Sequence, residues 1–176
     1  FICRPKTQMD SGVYKRMGEG GAKTLLVGIE HASESVRKHM DKGFSNEDID
    51  YHFEQCARNG IQNFVLMFIG YPTETLEDHQ MNIDFLYKYK KYMQSGTISL
   101  LRLGLTGSLD IGSPIATNKT KLRLVPQKPD LDLSHLMDHD QDWIYGRNWI
   151  NLDNPDLTLE ERIRRRMELH KISVNL

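Results

Sequence analysis

Apolar positions along the chain fall into two kinds of run that alternate. The first kind is short and unbroken: Phe1 to Cys3, Thr24-Leu-Leu-Val-Gly-Ile29, Asn63 to Ile69 and Ile98-Ser-Leu-Leu-Arg-Leu-Gly-Leu105. Runs of this length and type predict strands. Asn63 to Ile69 is apolar after its first residue, the pattern of a strand covered on both faces, and Gly70-Tyr-Pro72 ends it. The second kind recurs at helical spacing. Val13 and Met17 repeat until Gly18, Gly20 and Gly21 stop them, and Val36 and Met40 stand four apart after Ser35. Ile49, Phe53 and Ala57 form a stripe behind a Ser45/Asp48 capping box and end at Asn59-Gly60. A second box, Thr75/Asp78, precedes Ile83, Leu86 and Met93 and a stop at Gly96.

Strands separated by helices long enough to cross over predict right-handed, parallel βα units. The fold class is therefore α/β, as part of a barrel or of a doubly wound sheet. Residues 1–116 form this unit. After Ala116 the periodicity stops, and residues 117–176 read as a loop and helical extension in which Asn118 to Asp142 is polar, Asp-rich and interrupted by proline. Thr158 with Glu161 opens a last helix, with Ile163, Met167, His170 and Val174 predicted on its inner side. Arg162, Arg164, Arg165 and Arg166 crowd the remainder, offset by Glu160, Glu161 and Glu168, and read as a solvated face.

Composition narrows the function. A chain of 176 residues with 39% hydrophobic and 27% charged residues supports one packed core. A net charge of -1 supplies no field for nucleic acid or an anionic membrane. The longest apolar run, Phe64 to Ile69, is far below the ~20 residues of a membrane-spanning helix. Cys3 and Cys56 are too few for a disulfide framework and make no C-x-x-C pair, which points to a reducing, cytoplasmic setting. The opening Phe-Ile-Cys-Arg-Pro has neither an initiator Met nor a leader pattern, so an N-terminal part of a longer protein is expected to be missing.

Ligands of parallel α/β folds sit at the carboxyl ends of the strands. The residues expected there are Arg4, Glu30, His31, Gly70 to Glu74 and Thr106 to Pro114. A carboxylate in the place of Glu30 can accept two ribose hydroxyl hydrogens, or cap the helix opened by Ser33, Glu34 and Ser35. Gly70, lacking a Cβ, admits a flat ring against the backbone, or simply turns the chain. Elsewhere His135 and His139 stand four apart beside Asp138 and Asp140, the spacing of a metal-dependent hydrolase site on a helix. Pro126, Pro129 and the clustered aspartates favour a solvated loop there, and no H-E-x-x-H general base is present.

The motifs taken in order carry a family resemblance. They are Gly28-Ile-Glu30-His-Ala-Ser33, Lys42-Gly43, Gly60-Ile61, Phe68-Ile-Gly70-Tyr-Pro-Thr-Glu-Thr75 and Ile111-Gly-Ser-Pro114. Over residues 1–116 the chain resembles the second half of the radical S-adenosylmethionine (SAM) core, most of all the cobalamin-binding and coproporphyrinogen-oxidising types. The resemblance implies that Phe1 to Leu105 are the third to sixth βα strands of a partial TIM-like (β/α)6 barrel. It further implies that Glu30 contacts the SAM ribose, Lys42 faces the methionine carboxylate, and Ile69 and Gly70 back the adenine. His31 replaces the usual Ser, Thr73 the usual Gly and Ile111 the usual Pro. The His31 ring either disturbs the ribose contact or adds a proton donor on the substrate side.

The family's C-x-x-x-C-x-x-C cluster loop and glycine-rich turn do not occur, and Cys3 and Cys56 cannot replace three thiolates of one loop. The chain alone is thus expected to hold no iron and to be catalytically silent. By similarity the parent protein would hold a 4Fe-4S cluster, with cobalamin in the first type, and take electrons from a donor. It would cleave SAM reductively to a 5'-deoxyadenosyl radical for hydrogen abstraction from an unknown substrate. The alternative that the missing loop favours is a non-catalytic α/β binding or interaction module.

Overall fold

The computed structural model describes residues 2–3, 5, 10–105, 109, 112–127 and 147–176. Four strands, β1 (Ile2–Cys3), β2 (Thr24–Glu30), β3 (Gln62–Ile69) and β4 (Ile98–Leu105), pair in sequential order and all in parallel. Between them run α1 (Ser11–Glu19), α2 (Glu34–His39), α3 (Asn46–Arg58) and α4 (Leu76–Gln94). Local chemistry sets the helix starts: Asp10 caps α1, Ser33 caps α2, and full capping boxes, Ser45/Asp48 and Thr75/Asp78, open α3 and α4. Sequential parallel pairing with helical crossovers is the α/β class expected from the alternating runs.

One core holds the layers together. Leu25, Val27 and Ile29 of β2 alternate inward with Val65, Met67 and Ile69 of β3, and all are essentially inaccessible. Tyr14 of α1, Ile49 and Phe53 of α3, and Phe85, Leu86 and Tyr89 of α4 belong to the same cluster, so the helices lie on one face of the sheet. This corrects the expectation of a strand buried on both sides. Phe64 is 38% and Phe68 40% exposed, because right-handed crossovers advancing in one direction stack every helix on the same side. Among the described residues the second face of β3 is open.

The core ends at the amino-terminal side of the strands in a polar plug. Tyr14 Oη bonds His52 Nδ1 at 2.8 Å, His52 Nε2 meets Asn63 Oδ1 at 2.9 Å, and Asn63 Nδ2 donates to Thr97 O at 3.1 Å. Cys56 is buried against the same pair, 3.6 Å from His52 Nε2. Tyr14 as donor to Nδ1 leaves the His52 proton on Nε2, aimed at Asn63, so every ring nitrogen of the neutral form is used.

Beyond β4, the described residues add a short antiparallel pair and the expected last helix. After α5 (Pro114–Thr117), β5 (Leu124–Pro126) pairs antiparallel with β6 (Trp149–Asn151), and α6 (Leu159–Ser173) follows. Thr158 caps α6 as expected, and Ile163 packs inward. Met167 is 57% exposed, against expectation. The inner side is Leu159, Arg162, Ile163, Arg165 and Leu169, rotated from the predicted stripe. Two of the four clustered arginines are therefore buried rather than solvated, because buried acceptors at the strand ends require their donors.

Burial holds the His52 imidazole below its ordinary pKa, with Asn63 opposing the shift. The unfolded chain then takes up a proton that the folded chain refuses. The contribution is complete above the unfolded value of about 6.5 and shrinks as the pH falls below it. The urea midpoint is expected to decline from about pH 7 to pH 5, and His52→Gln should flatten that segment of the profile. An unchanged slope in the variant would refute the assignment.

Candidate functional site

The carboxyl ends of β2, β3 and β4 form one rim, and the predicted residues Glu30, His31 and Gly70 all lie on it. Glu30 closes β2 at a register break and has φ of 68°, in the left-handed region that a non-glycine residue adopts only under constraint. His31 N donates to Ile29 O at 2.8 Å, closing a strained three-residue turn around Glu30. The turn folds the Glu30 side chain back over Gly28, where any Cβ would collide with Glu30 Oε1. Gly28 thus leaves room for a carboxylate, which a Cβ would displace.

Glu30 is buried, and its Oε1 accepts from Lys42 Nζ at 2.8 Å. Its Oε2 is buried without a hydrogen-bond partner among the described residues. A buried carboxylate oxygen without a donor costs free energy, which a ligand hydroxyl placed there would recover. Lys42, predicted for a ligand carboxylate, instead neutralises Glu30 here, with 23% of its side chain exposed. It also lines a shallow cleft of about 470 Å³ with Glu34, Lys38 and Gly43. Ile69 turns its side chain entirely into the core, so only its backbone can face a ligand.

His31 faces the protein interior. It is fully buried and accepts from Ser33 N at Nδ1 (3.0 Å), while its Nε2 lies 3.1 Å from Glu74 Oε2 and 2.9 Å from Asn82 Nδ2. The ring is enclosed by protein partners inside the rim. Glu74, inaccessible to solvent, also accepts from Gly70 N at 2.6 Å and from Arg165 Nη1 at 3.0 Å. Burial alone would raise the Glu74 carboxyl, but the bonds from His31, Arg165 and Gly70 outweigh it and hold the group below its ordinary value.

Gly70 has φ of 80°, and the stem of Arg162 occupies the space its Cβ would fill. On that side, the close approach that Gly70 allows is made by an arginine. Arg162 stacks on Trp149 at 3.7 Å and donates to Thr158 O, Arg147 O and Trp149 O. Burial, reinforced by Arg147, pulls its guanidinium down to about 9, still charged at neutral pH. Asn151 Nδ2 donates to Pro72 O at 2.7 Å and Asn154 Nδ2 to Glu74 O at 2.9 Å, so the tail clasps the β3–α4 turn.

Sequence reasoning placed Glu74 on the rim without a role, read Arg162 and Arg165 as part of a solvated face, and did not single out Asn82, whose Oδ1 accepts from Ala32 N at 3.0 Å and whose Nδ2 lies 2.9 Å from His31 Nε2. Spacing carried a signal for the first two, since Leu159, Arg162, Arg165 and Leu169 share one helical face. His135, His139 and most of Thr106 to Pro114 lie outside the described residues. Among the described residues no group of three His, Cys, Asp or Glu side chains could hold a metal, and no helix is long and apolar enough to cross a membrane.

The sheet is of the parallel α/β class, in which ligands sit at the carboxyl ends of the strands. No protein-family model matches the chain. It is 32% identical over 94 residues to the ribosomal protein uS12 methylthiotransferase RimO of Clostridium botulinum, covering 51% of this chain and 21% of that protein. It is 32% identical over 76 residues to an uncharacterized methyltransferase of Pyrococcus horikoshii, covering 43% and 17% respectively. An uncharacterized protein of Methanocaldococcus jannaschii is 33% identical over 79 residues, covering 44% and 18%. The solved radical SAM methyltransferase TsrM from Kitasatospora setae, with cobalamin and a 4Fe-4S cluster bound, shares the fold at a TM-score of 0.52 and 20% identity, over 74% of this chain and 26% of that one. Over part of its length the chain is thus similar in sequence to a methylthiotransferase and in fold to a radical SAM methyltransferase. It spans about a fifth of the length of the curated relatives it matches.

Glu74→Gln removes one partner of a buried ion pair and leaves Arg165 inside without it. The expected loss is about 3 kcal/mol of stability, read from urea denaturation. Because the Glu74 pKa is depressed on folding, its contribution stands above the unfolded value of about 4.3 and is lost as the pH falls through the folded value. The variant should lack that acid limb; a parental acid profile would contradict this.

Proposed function

We propose that this chain is the SAM-contacting portion of a longer radical SAM enzyme, in which β1 to β4 are consecutive strands of a partial (β/α)6 barrel. The observation that carries the reading is Glu30, whose carboxylate is swung over the open face with one oxygen unsatisfied. A ribose offers two adjacent hydroxyl donors, which match a carboxylate's two acceptor oxygens. Lys42, already paired with Glu30, is placed to turn to the carboxylate of the methionine moiety, a charge-assisted contact. The backbone at Ile69 and Gly70 backs the adenine in this reading. Sequential strand order with all helices outside supports a barrel segment whose open face is the lumen.

The residues of this chain do not fit a 4Fe-4S cluster. Cys56 is sealed against His52 and Asn63, and no three thiolates share a loop. In this reading the cluster, the contact with an electron donor and any cobalamin are supplied by other parts of the parent, and these 176 residues alone are catalytically silent. Bound SAM supplies the parent with a 5'-deoxyadenosyl radical for hydrogen abstraction. What this chain contributes is position: the strained turn fixes the Glu30 carboxylate, Gly28 gives it room, and the Glu74 bonds hold the neighbouring turn rigid.

Calorimetric titration of the chain with SAM tests this. Glu30→Ala is expected to weaken binding about tenfold or more, Lys42→Ala less because it is partly exposed, and Gly28→Ala nearly as much as Glu30→Ala by displacing the carboxylate. Equal affinity in all four proteins would remove the rim as the SAM site. Deoxyadenosine formed by the chain with reductant would overturn its silence.

A further inference from the structure

The open face carries a second device beside Glu30. Gly28, Leu66 and Arg102 are register partners across β2, β3 and β4, so the Glu30 carboxylate lying over Gly28 and the Arg102 side chain occupy one tier of the sheet. Two strand spacings separate them, roughly 10 Å. Two residues further along, Gly104 provides another glycine seat: a Cβ there would press to 3.1 Å on Phe68 Cδ1, so the exposed Phe68 ring lies against β4 at Gly104. A cleft of about 620 Å³ opens above this floor of Leu66, Phe68 and Gly104.

Its described lining is rich in arginine. Arg102 from β4, Arg166 and His170 from α6, and Arg147 from the turn before β6 converge on it, with no acidic residue among the described residues that line it. In a chain of net charge -1 this segregation is local. Arg166 is oriented by its Nε, which donates to Leu103 O at 2.8 Å on the β4 edge and leaves the far end of the guanidinium to the cleft. Arg102 has no acidic partner among the described residues. Guanidinium groups above an aromatic floor suit a planar or apolar body that bears a carboxylate or phosphate, since the fork pairs with the anion and the ring covers the body.

We infer that this cleft binds an organic anion with an apolar or planar body, and that it is the substrate pocket of the parent enzyme. Anion binding stands on the cleft alone; its identity as the substrate pocket rests on the reading of Glu30 as the SAM site.

Amide NMR titration of the chain with phenyl phosphate, benzoate, phenol and inorganic phosphate tests the inference. Phenyl phosphate or benzoate should shift β3 and β4 amides saturably, whichever binds more tightly naming the anionic group, while phenol and inorganic phosphate bind about tenfold more weakly. Arg102→Gln should weaken the organic anions about tenfold, with Arg102→Lys in between and urea midpoints unchanged, because the side chain is exposed. Phe68→Leu should narrow the gap between phenyl phosphate and inorganic phosphate. Absence of saturation at ~10 mM, or equal affinity in Arg102→Gln, would overturn the proposal. Anion binding retained where Glu30→Ala leaves SAM affinity unaltered would sustain the cleft and remove only the SAM reading; the reverse pattern would remove only the cleft.

Discussion

Everything at the rim depends on one buried carboxylate. Glu74 sits four residues beyond Gly70, and its two oxygens gather the Gly70 amide, the His31 imidazole and the Arg165 guanidinium. A lone carboxylate in that position would cost several kcal/mol in desolvation, so its donors are obligatory. Each donor comes from a different part of the chain: the end of β3, the turn after β2, and α6. Satisfying one charge therefore ties two neighbouring strand ends and the C-terminal helix together. Arg162 and Asn154 extend the clasp by taking the carbonyls and the glycine space around the same turn.

That rigidity lets the neighbouring residues hold unfavourable arrangements. Glu30 keeps a left-handed backbone and a carboxylate oxygen without a donor, both of which would relax on a looser scaffold. Glycines supply room twice on the open face, at Gly28 for a carboxylate and at Gly104 for a phenyl ring. The same open face explains why β3 carries large apolar side chains that the helices do not cover. Phe64 and Phe68 face the side on which, in the reading proposed here, ligands are enclosed.

By itself the sequence determined the elements of residues 1–105 and their order. Capping boxes, glycine stops and apolar runs act over three or four residues, so Ser45/Asp48, Thr75/Asp78 and the four strands were legible without any tertiary information. The ordered motifs around Glu30, Lys42 and Gly70 likewise carried a family resemblance and pointed to the rim. What only the tertiary structure decided were the choices made between distant segments. Whether Arg162 and Arg165 meet water or Glu74, whether His31 faces a ligand or a carboxylate, and whether β3 is covered on one side or two depend on which groups arrive across 43 to 91 residues of chain. Periodicity reports that a face is apolar, not that a buried charge elsewhere will recruit an arginine into it, because the cost of an unpaired carboxylate arises only once the chain has folded around it.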